Sequence, residues 1–190
     1  MARWDPGAQD RLRRAAVDLF LERGYDDVTV AEIAERAELT RRSFFRYFAD
    51  KREVLFAGSE QFPQALTQTL ASIGETGSPF TDALRALSVV GSQLVDYIDN
   101  PARRRTIIQS SPELRERERT KLADIATAIR EALVQRNVDA PTARMVAQVS
   151  TVIFRNAFDA WIDAAGARDF ESCLTATTAQ LRSAIAAKID

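Results

Sequence analysis

The 190-residue sequence contains no histidine and a single cysteine, Cys173. The first absence removes imidazole general bases and histidine-held metals, and the second removes any disulfide within one chain. Cys173 fits a small buried hydrophobe. With only 7 Gly and 6 Pro the backbone has few interruptions. No apolar run approaches the roughly 20 residues of a membrane-spanning helix, and the opening MARWDPG lacks the pattern of a secretion signal, so a cytoplasmic protein is expected. Neither sign of charge dominates: 26 basic against 27 acidic side chains leave a net charge of −1. General basicity is therefore not how this chain would hold nucleic acid. There is also no glycine-rich phosphate loop, no metal constellation and no nucleophile with a base beside it. Asp159 and Asp163 stand four residues apart, but with no third partner they read as a solvated helix edge, so no catalytic residue, cofactor or metal is expected and the chain is not read as an enzyme.

What is present is apolar content, 46%, arranged for helices. Asp5-Pro6 opens a first helix with Leu12, Ala16, Leu19 and Phe20 on one side, and Gly24 stops it. Short helices follow Thr29 and Thr40. A fourth is expected from Lys51 to about Ile73, a fifth from Ser78-Pro79, and a short sixth from Asn100-Pro101. The seventh starts at Ser111-Pro112 and lasts to about Asn137, an eighth runs from Asp139 to Gly166, and a ninth is capped by Asp169. The fold class is thus all-α, with about nine helices. Residues 1–52 are expected to form a DNA-binding domain and 53–190 an effector-binding and dimerisation domain, with helix four joining them rigidly.

The segment TVAEIAERAELTRRSFFRYFADK, residues 29 to 51, carries the function. Thr29 with Glu32 makes a capping box, so helix two starts at Val30 with outward amides that suit a phosphate. Asp50 with Glu53 makes another box. At about 100 degrees per residue, Phe44 and Phe48 share one face of helix three, while Arg42, Ser43, Phe45 and Arg46 fall on or near the opposite one. From Thr40 to Arg52 there are five cations and one acid, a local basic patch on a near-neutral chain. Guanidinium groups reach phosphates and guanine edges, and aromatic bodies pack on sugars and thymine methyls. The segment divides into core (Ile33, Phe44, Phe48), phosphate anchors (Thr29, Tyr47, Lys51) and base or backbone readers (Arg41, Arg42, Ser43, Phe45, Arg46).

The run from about Arg11 to Phe56, with AAVDLFLERGYDDVTV, AEIAERAELT and FFRYFADKREVLF, resembles the DNA-binding domain of the TetR family of bacterial repressors. The resemblance implies a helix-turn-helix in helices two and three, a homodimer paired through its last two helices, and a double-stranded operator. It departs from the usual pattern at three places: Glu38 stands where Gly is most common, Arg42 where residues are small, and Phe45 for a usual Tyr. Losing that hydroxyl removes one phosphate hydrogen bond, for which Arg42 is a candidate replacement.

Helix eight carries two apolar stripes, Val146, Val149, Ile153, Ala157 and Ala160 on one and Phe154, Phe158 and Trp161 on the other, and a helix apolar on two sides is buried on two sides. With Leu174, Leu181 and Ile185 of helix nine, and small residues nearby that include Ala187, the first stripe is expected to form a four-helix dimer interface. Phe80, Leu84, Leu87, Leu94, Tyr97, Ile108, Leu122, Ile125, Phe154 and Phe158 are candidates for the wall of an apolar effector site. Arg103 and Arg104 would receive an anionic head group, and Arg155 and Asn156 would supply hydrogen bonds. The run TIIQSSPELRERERTKLA is similar to a branch of the family associated with acyl-CoA-like effectors. The expected function is a ligand-responsive transcriptional regulator, a repressor released by a small, largely apolar effector. A transcriptional activator uses the same residues, and a helical protein-interaction scaffold is the remaining alternative, though it leaves the arginine-aromatic segment unexplained.

Overall fold

A computed structural model describes residues 7–186. Within them all regular structure is helical: α1 Ala8–Arg23, α2 Val30–Arg36, α3 Arg41–Tyr47, α4 Phe62–Ser72, α5 Pro79–Val95, α6 Pro101–Ser110, α7 Pro112–Gln135, α8 Ala140–Ala164 and α9 Phe170–Ala186. The expected class and helix count are met among the described residues; the expected Asp5-Pro6 start and Ala187 lie outside them. Helix starts fall where side chains can cap them. Thr29, Thr40, Ser78 and Asp139 accept bonds from the amides of Glu32, Ser43, Thr81 and Thr142, and Asp169 from that of Ser172. No helix among the described residues is long and apolar enough to cross a membrane.

Helix four is shorter than the sequence suggests. A continuous helix from Lys51 to Ile73 is not formed; Arg52–Leu55 makes one 3-10 turn, and α4 starts only at Phe62. Between them Gly58 takes φ 87, and Pro63 could not follow a helical Ser59 without its ring meeting that residue's carbonyl.

The described chain divides into two compact units. The first holds residues 7–57 and 100–119, so its boundary is discontinuous, unlike the expected one after residue 52. Leu12, Ala16, Leu19 and Phe20 of α1 pack with Ile33, Phe44, Phe48, Val54 and Leu55, and with Ile107, Ile108 and Leu114 from the later segment. Charge reinforces this packing. Arg117 Nε donates to Glu53 Oε1 at 2.6 Å, with the Glu53 carboxylate buried, and Arg103 pairs with Asp18 at 2.8 Å. Arg104 donates to the Leu55 carbonyl while its guanidinium lies 5.1 Å over the Phe56 ring. Burial pulls the Arg104 guanidinium down to about 10, so it stays charged at neutral pH.

The second unit holds residues 58–99 and 120–186. Leu66 and Leu70 of α4, Leu87 of α5, Ile129 and Leu133 of α7, Phe154 of α8 and Phe170 of α9 meet in one core. Phe154 is its centre, with ring centroids 5.2 Å from Phe62 and 5.6 Å from Phe170. Buried Asp82 ties helix ends together: it accepts from Thr76 N and Oγ1 at 3.1 and 2.8 Å and from Arg136 Nη2 at 3.3 Å, while Arg136 Nη1 reaches the Leu70 carbonyl at 2.6 Å. Where α5 meets α9 the spacing depends on Gly91, since a Cβ there would lie 2.3 Å from Cε1 of Phe170. Gly91→Ala should cost about 1–3 kcal/mol through overpacking, read by urea unfolding; unchanged stability would contradict this packing.

Candidate nucleic-acid interface

The first unit builds its site on α2 and α3. Thr29 N donates to Glu32 Oε2 at 2.8 Å, and Glu32 N donates back to Thr29 Oγ1 at 3.3 Å, completing the expected capping box. Arg23 Nη1 binds the other Glu32 oxygen at 2.7 Å. These donors, the Thr29 hydroxyl first, hold the Glu32 carboxyl down at about 2. Between the helices Glu38 N donates to Glu35 O and Leu39 N to Ala34 O, at 2.9 and 2.8 Å. That is a Schellman turn, and it forces Glu38 to φ 56, a left-handed backbone that suits Gly. Thr40 Oγ1 then caps α3 through Ser43 N at 3.1 Å.

Packing fixes which way α3 faces. Phe44 and Phe48 are buried at 0% and 3% exposure, with centroids 5.3 Å apart, as their spacing predicts. Arg41, Arg42, Phe45 and Arg46 are consequently exposed, with Ser43 and Tyr47 half-buried. No salt bridge among the described residues engages Arg41, Arg42 or Arg46, whereas Arg36 pairs with Glu22 at 2.9 Å and Arg52 with Asp50 at 2.7 Å. Two of these guanidiniums rest on aromatic rings instead: Arg41 lies 5.6 Å from the Phe45 centroid and Arg46 4.8 Å from that of Tyr47. Arg46 Nη2 also donates to the Tyr47 hydroxyl at 2.8 Å. Three cations held off from acids, on one exposed helix face, form a surface for polyanions.

Other expected anchors are placed differently. Lys51 Nζ donates to the Tyr25 and Val28 carbonyls at 2.8 and 2.9 Å and sits 4.1 Å over the Tyr25 ring, so it holds the loop before α2. Thr29 is occupied by its box, and Val30 is half-buried. The second expected box is half formed in the bonds described: Asp50 Oδ1 accepts from Glu53 N at 3.1 Å, while the Glu53 carboxylate turns to Arg117.

The residues expected to line an effector site do not all come together. In the second unit Leu87, Ile125 and Phe154 are buried, and Phe80, Leu84, Leu94, Leu122 and Phe158 pack half-buried on the same core. Tyr97 is 65% exposed there. Arg103, Arg104 and Ile108 belong to the first unit, the last inside its core. Arg155 and Asn156 are exposed, with Asn156 Nδ2 bonded to its own helix at the Val152 carbonyl, 2.8 Å away. Of the residues expected at a dimer interface, Ile153, Ala157 and Leu174 are buried in the second unit's core, Val146, Val149, Ala160 and Leu181 are half-buried, and Ile185 is exposed. Met145 and Val152, seven residues apart on the outer side of α8, are exposed as well. They lie off the stripe that the periodicity picked out. The signal for them was there, since α8 has more apolar positions than one buried face can use.

Residues 12–57 match the family described as bacterial regulatory proteins, tetR family, and residues 79–186 match the MftR C-terminal domain. The transcriptional regulator TcmR of Streptomyces glaucescens is 42% identical over 62 residues, 33% of this chain and only 27% of TcmR. MftR of Mycobacterium tuberculosis, a regulator named for mycofactocin biosynthesis, is 28% identical over 152 residues, 77% of this chain and 76% of MftR. NalD, named as secondary repressor of the MexAB-OprM multidrug efflux pump in Pseudomonas aeruginosa, shares the fold, with a TM-score of 0.61 at 17% identity over 94% of this chain and 96% of NalD.

Two measurements check the local architecture. Glu38→Gly should raise stability by about 1 kcal/mol by relieving the left-handed backbone; a loss would mean that the Glu38 side chain contributes to the turn. Glu32 has a folded-state pKa below its unfolded value, so its contribution is complete above the unfolded pKa and is lost as pH falls toward the folded one. The stability difference between wild type and Glu32→Gln should therefore be constant above about pH 4.5 and shrink between 4.5 and 2. A difference independent of pH over that window would show the ionised box to be inert.

Proposed function

The chain belongs to the TetR family of bacterial regulatory proteins, and we propose that it is a ligand-responsive transcriptional repressor that binds a pseudo-palindromic DNA operator as a homodimer. The observation that carries this reading is the set of exposed guanidiniums without acidic partners, Arg41, Arg42 and Arg46 on α3. Their task is to neutralise phosphates and reach base edges, releasing condensed counterions as they do so. Tyr47 and Ser43 stand at the edge of the same face as secondary contacts. Such a role places the protein in the cytoplasm, with the operator.

One seven-residue helix reads too little sequence to be selective alone. A two-fold dimer doubles the site and sets two copies of α3 about one helical turn of DNA apart, roughly 34–36 Å. Exposed Met145 and Val152 on α8 and Ile185 on α9 support a dimer surface there. The effector is a small, largely apolar molecule, received by the half-buried side chains of Phe80, Leu84, Leu94, Leu122 and Phe158 at the margin of the second core. An acyl-CoA-like effector retains support for its apolar tail from those residues; Arg103 and Arg104, occupied in the first unit, supply none for its head group. Release requires only that the ligand prefer the conformer that does not bind DNA. About 1.4 kcal/mol of preference lowers operator affinity tenfold, and bound operator weakens the ligand equally.

Arg42→Ala and Arg46→Ala should each lower operator affinity by about 1–3 kcal/mol, a factor of roughly 5 to 150, with stability changed by no more than about 0.5 kcal/mol. The log-log slope of affinity against salt should be several units in wild type and fall by about one in each variant. Full DNA affinity in both variants would remove α3 as the binding face.

A further inference from the structure

We infer that the Phe45 ring reads a thymine C5-methyl group in the major groove, so that each half of the operator carries a thymine opposite it; this rests on the reading of α3 as the DNA-facing helix. The sequence has 10 phenylalanines, all among the described residues, and Phe45 alone is exposed, at 46%. Its direction is set from beneath. Phe44, fully buried, meets it edge to face with centroids 5.5 Å apart and planes at 82°. Above it lies the Arg41 guanidinium, and Arg42 and Arg46 stand beside it without acidic partners.

A phenyl ring offers no donor or acceptor to a phosphate or to the polar edge of a base. Three cations around it select a polyanionic partner, and within the major groove of such a partner the apolar group that distinguishes one base pair from the others is the thymine methyl. The arginines' phosphate contacts therefore supply affinity for any duplex, while Phe45 adds discrimination by losing water only where a methyl group meets it. Arg41 over the ring also limits its rotation, which lowers the entropy lost when the ring is covered.

The test uses the full-length protein and a duplex it enriches from random DNA. Each thymine is replaced in turn by deoxyuridine, which deletes the methyl group and leaves every hydrogen-bonding edge intact, and binding is followed by fluorescence anisotropy. One thymine in each half-site should show an affinity loss of about fourfold, the worth of one buried methyl group. In Phe45→Ala the duplex should bind more weakly and that position should become indifferent to the replacement, with other positions unchanged; Phe45→Leu serves for the comparison if alanine impairs folding. Equal binding of all deoxyuridine duplexes would overturn the inference while leaving DNA binding intact, as would a methyl dependence that persists without the ring. Failure to enrich any duplex would overturn this inference together with the reading on which it rests.

Discussion

Burial of Phe44 and Phe48 beneath α3 is the constraint on which the rest of the first unit depends. Each ring removed from water contributes about 1.5–3 kcal/mol, far more than any rearrangement of the exposed arginines can return. The two rings therefore fix the rotation of α3 about its axis. Once that phase is set, the helical period alone decides that Arg41, Arg42, Phe45 and Arg46 point outward. The Schellman turn at Glu38 and the Thr40 cap then fix where α3 begins and at what angle it leaves α2. Left-handed strain at Glu38 is a small cost against that packing. Lys51 and the Asp50 cap close the far end, so the recognition face is bounded by bonds on both sides.

The second unit solves a different problem. Its helices approach closely through small residues, Ala83, Ala86 and Gly91 on α5 and Ala143, Ala147 and Ala157 on α8, and a tightly packed core of this kind has few continuous ways to deform. An effector of the proposed kind, entering at its half-buried margin, would have to shift the balance between discrete arrangements. The buried Asp82 and Arg136 pair is bonded to Thr76 and to the Leu70 carbonyl, so the ends of three helices are tied to one another. On the proposed function, effector binding would therefore act as a population shift linked reciprocally to DNA.

Much of this was legible in the sequence because it is local. Capping residues, the stop at Gly24, and the division of α3 into a buried and an exposed face each need only the residues within a turn or two. What is not legible depends on partners distant in the chain. Lys51 looks like a phosphate anchor until two carbonyls 26 and 23 residues earlier take its ammonium group. Arg103 and Arg104 look like a rim for an anion until Asp18 and the Leu55 carbonyl engage them. Ile108 reads as an effector contact but is needed in the first core, and Ile153, Ala157 and Leu174 read as an interface but are claimed by the second. Periodicity tells that a residue is buried and cannot tell against what. The break between Leu55 and Phe62 is local, and Gly58 and Pro63 both mark it.

On the proposed function, two copies of this α3 face read DNA as a symmetric pair. Selection of bound duplexes from random DNA by the full-length protein tests it most directly. The expected product is an inverted repeat whose half-sites lie about 10 base pairs apart, centre to centre. Enrichment of a single unrepeated site, or of no sequence at all, would contradict it.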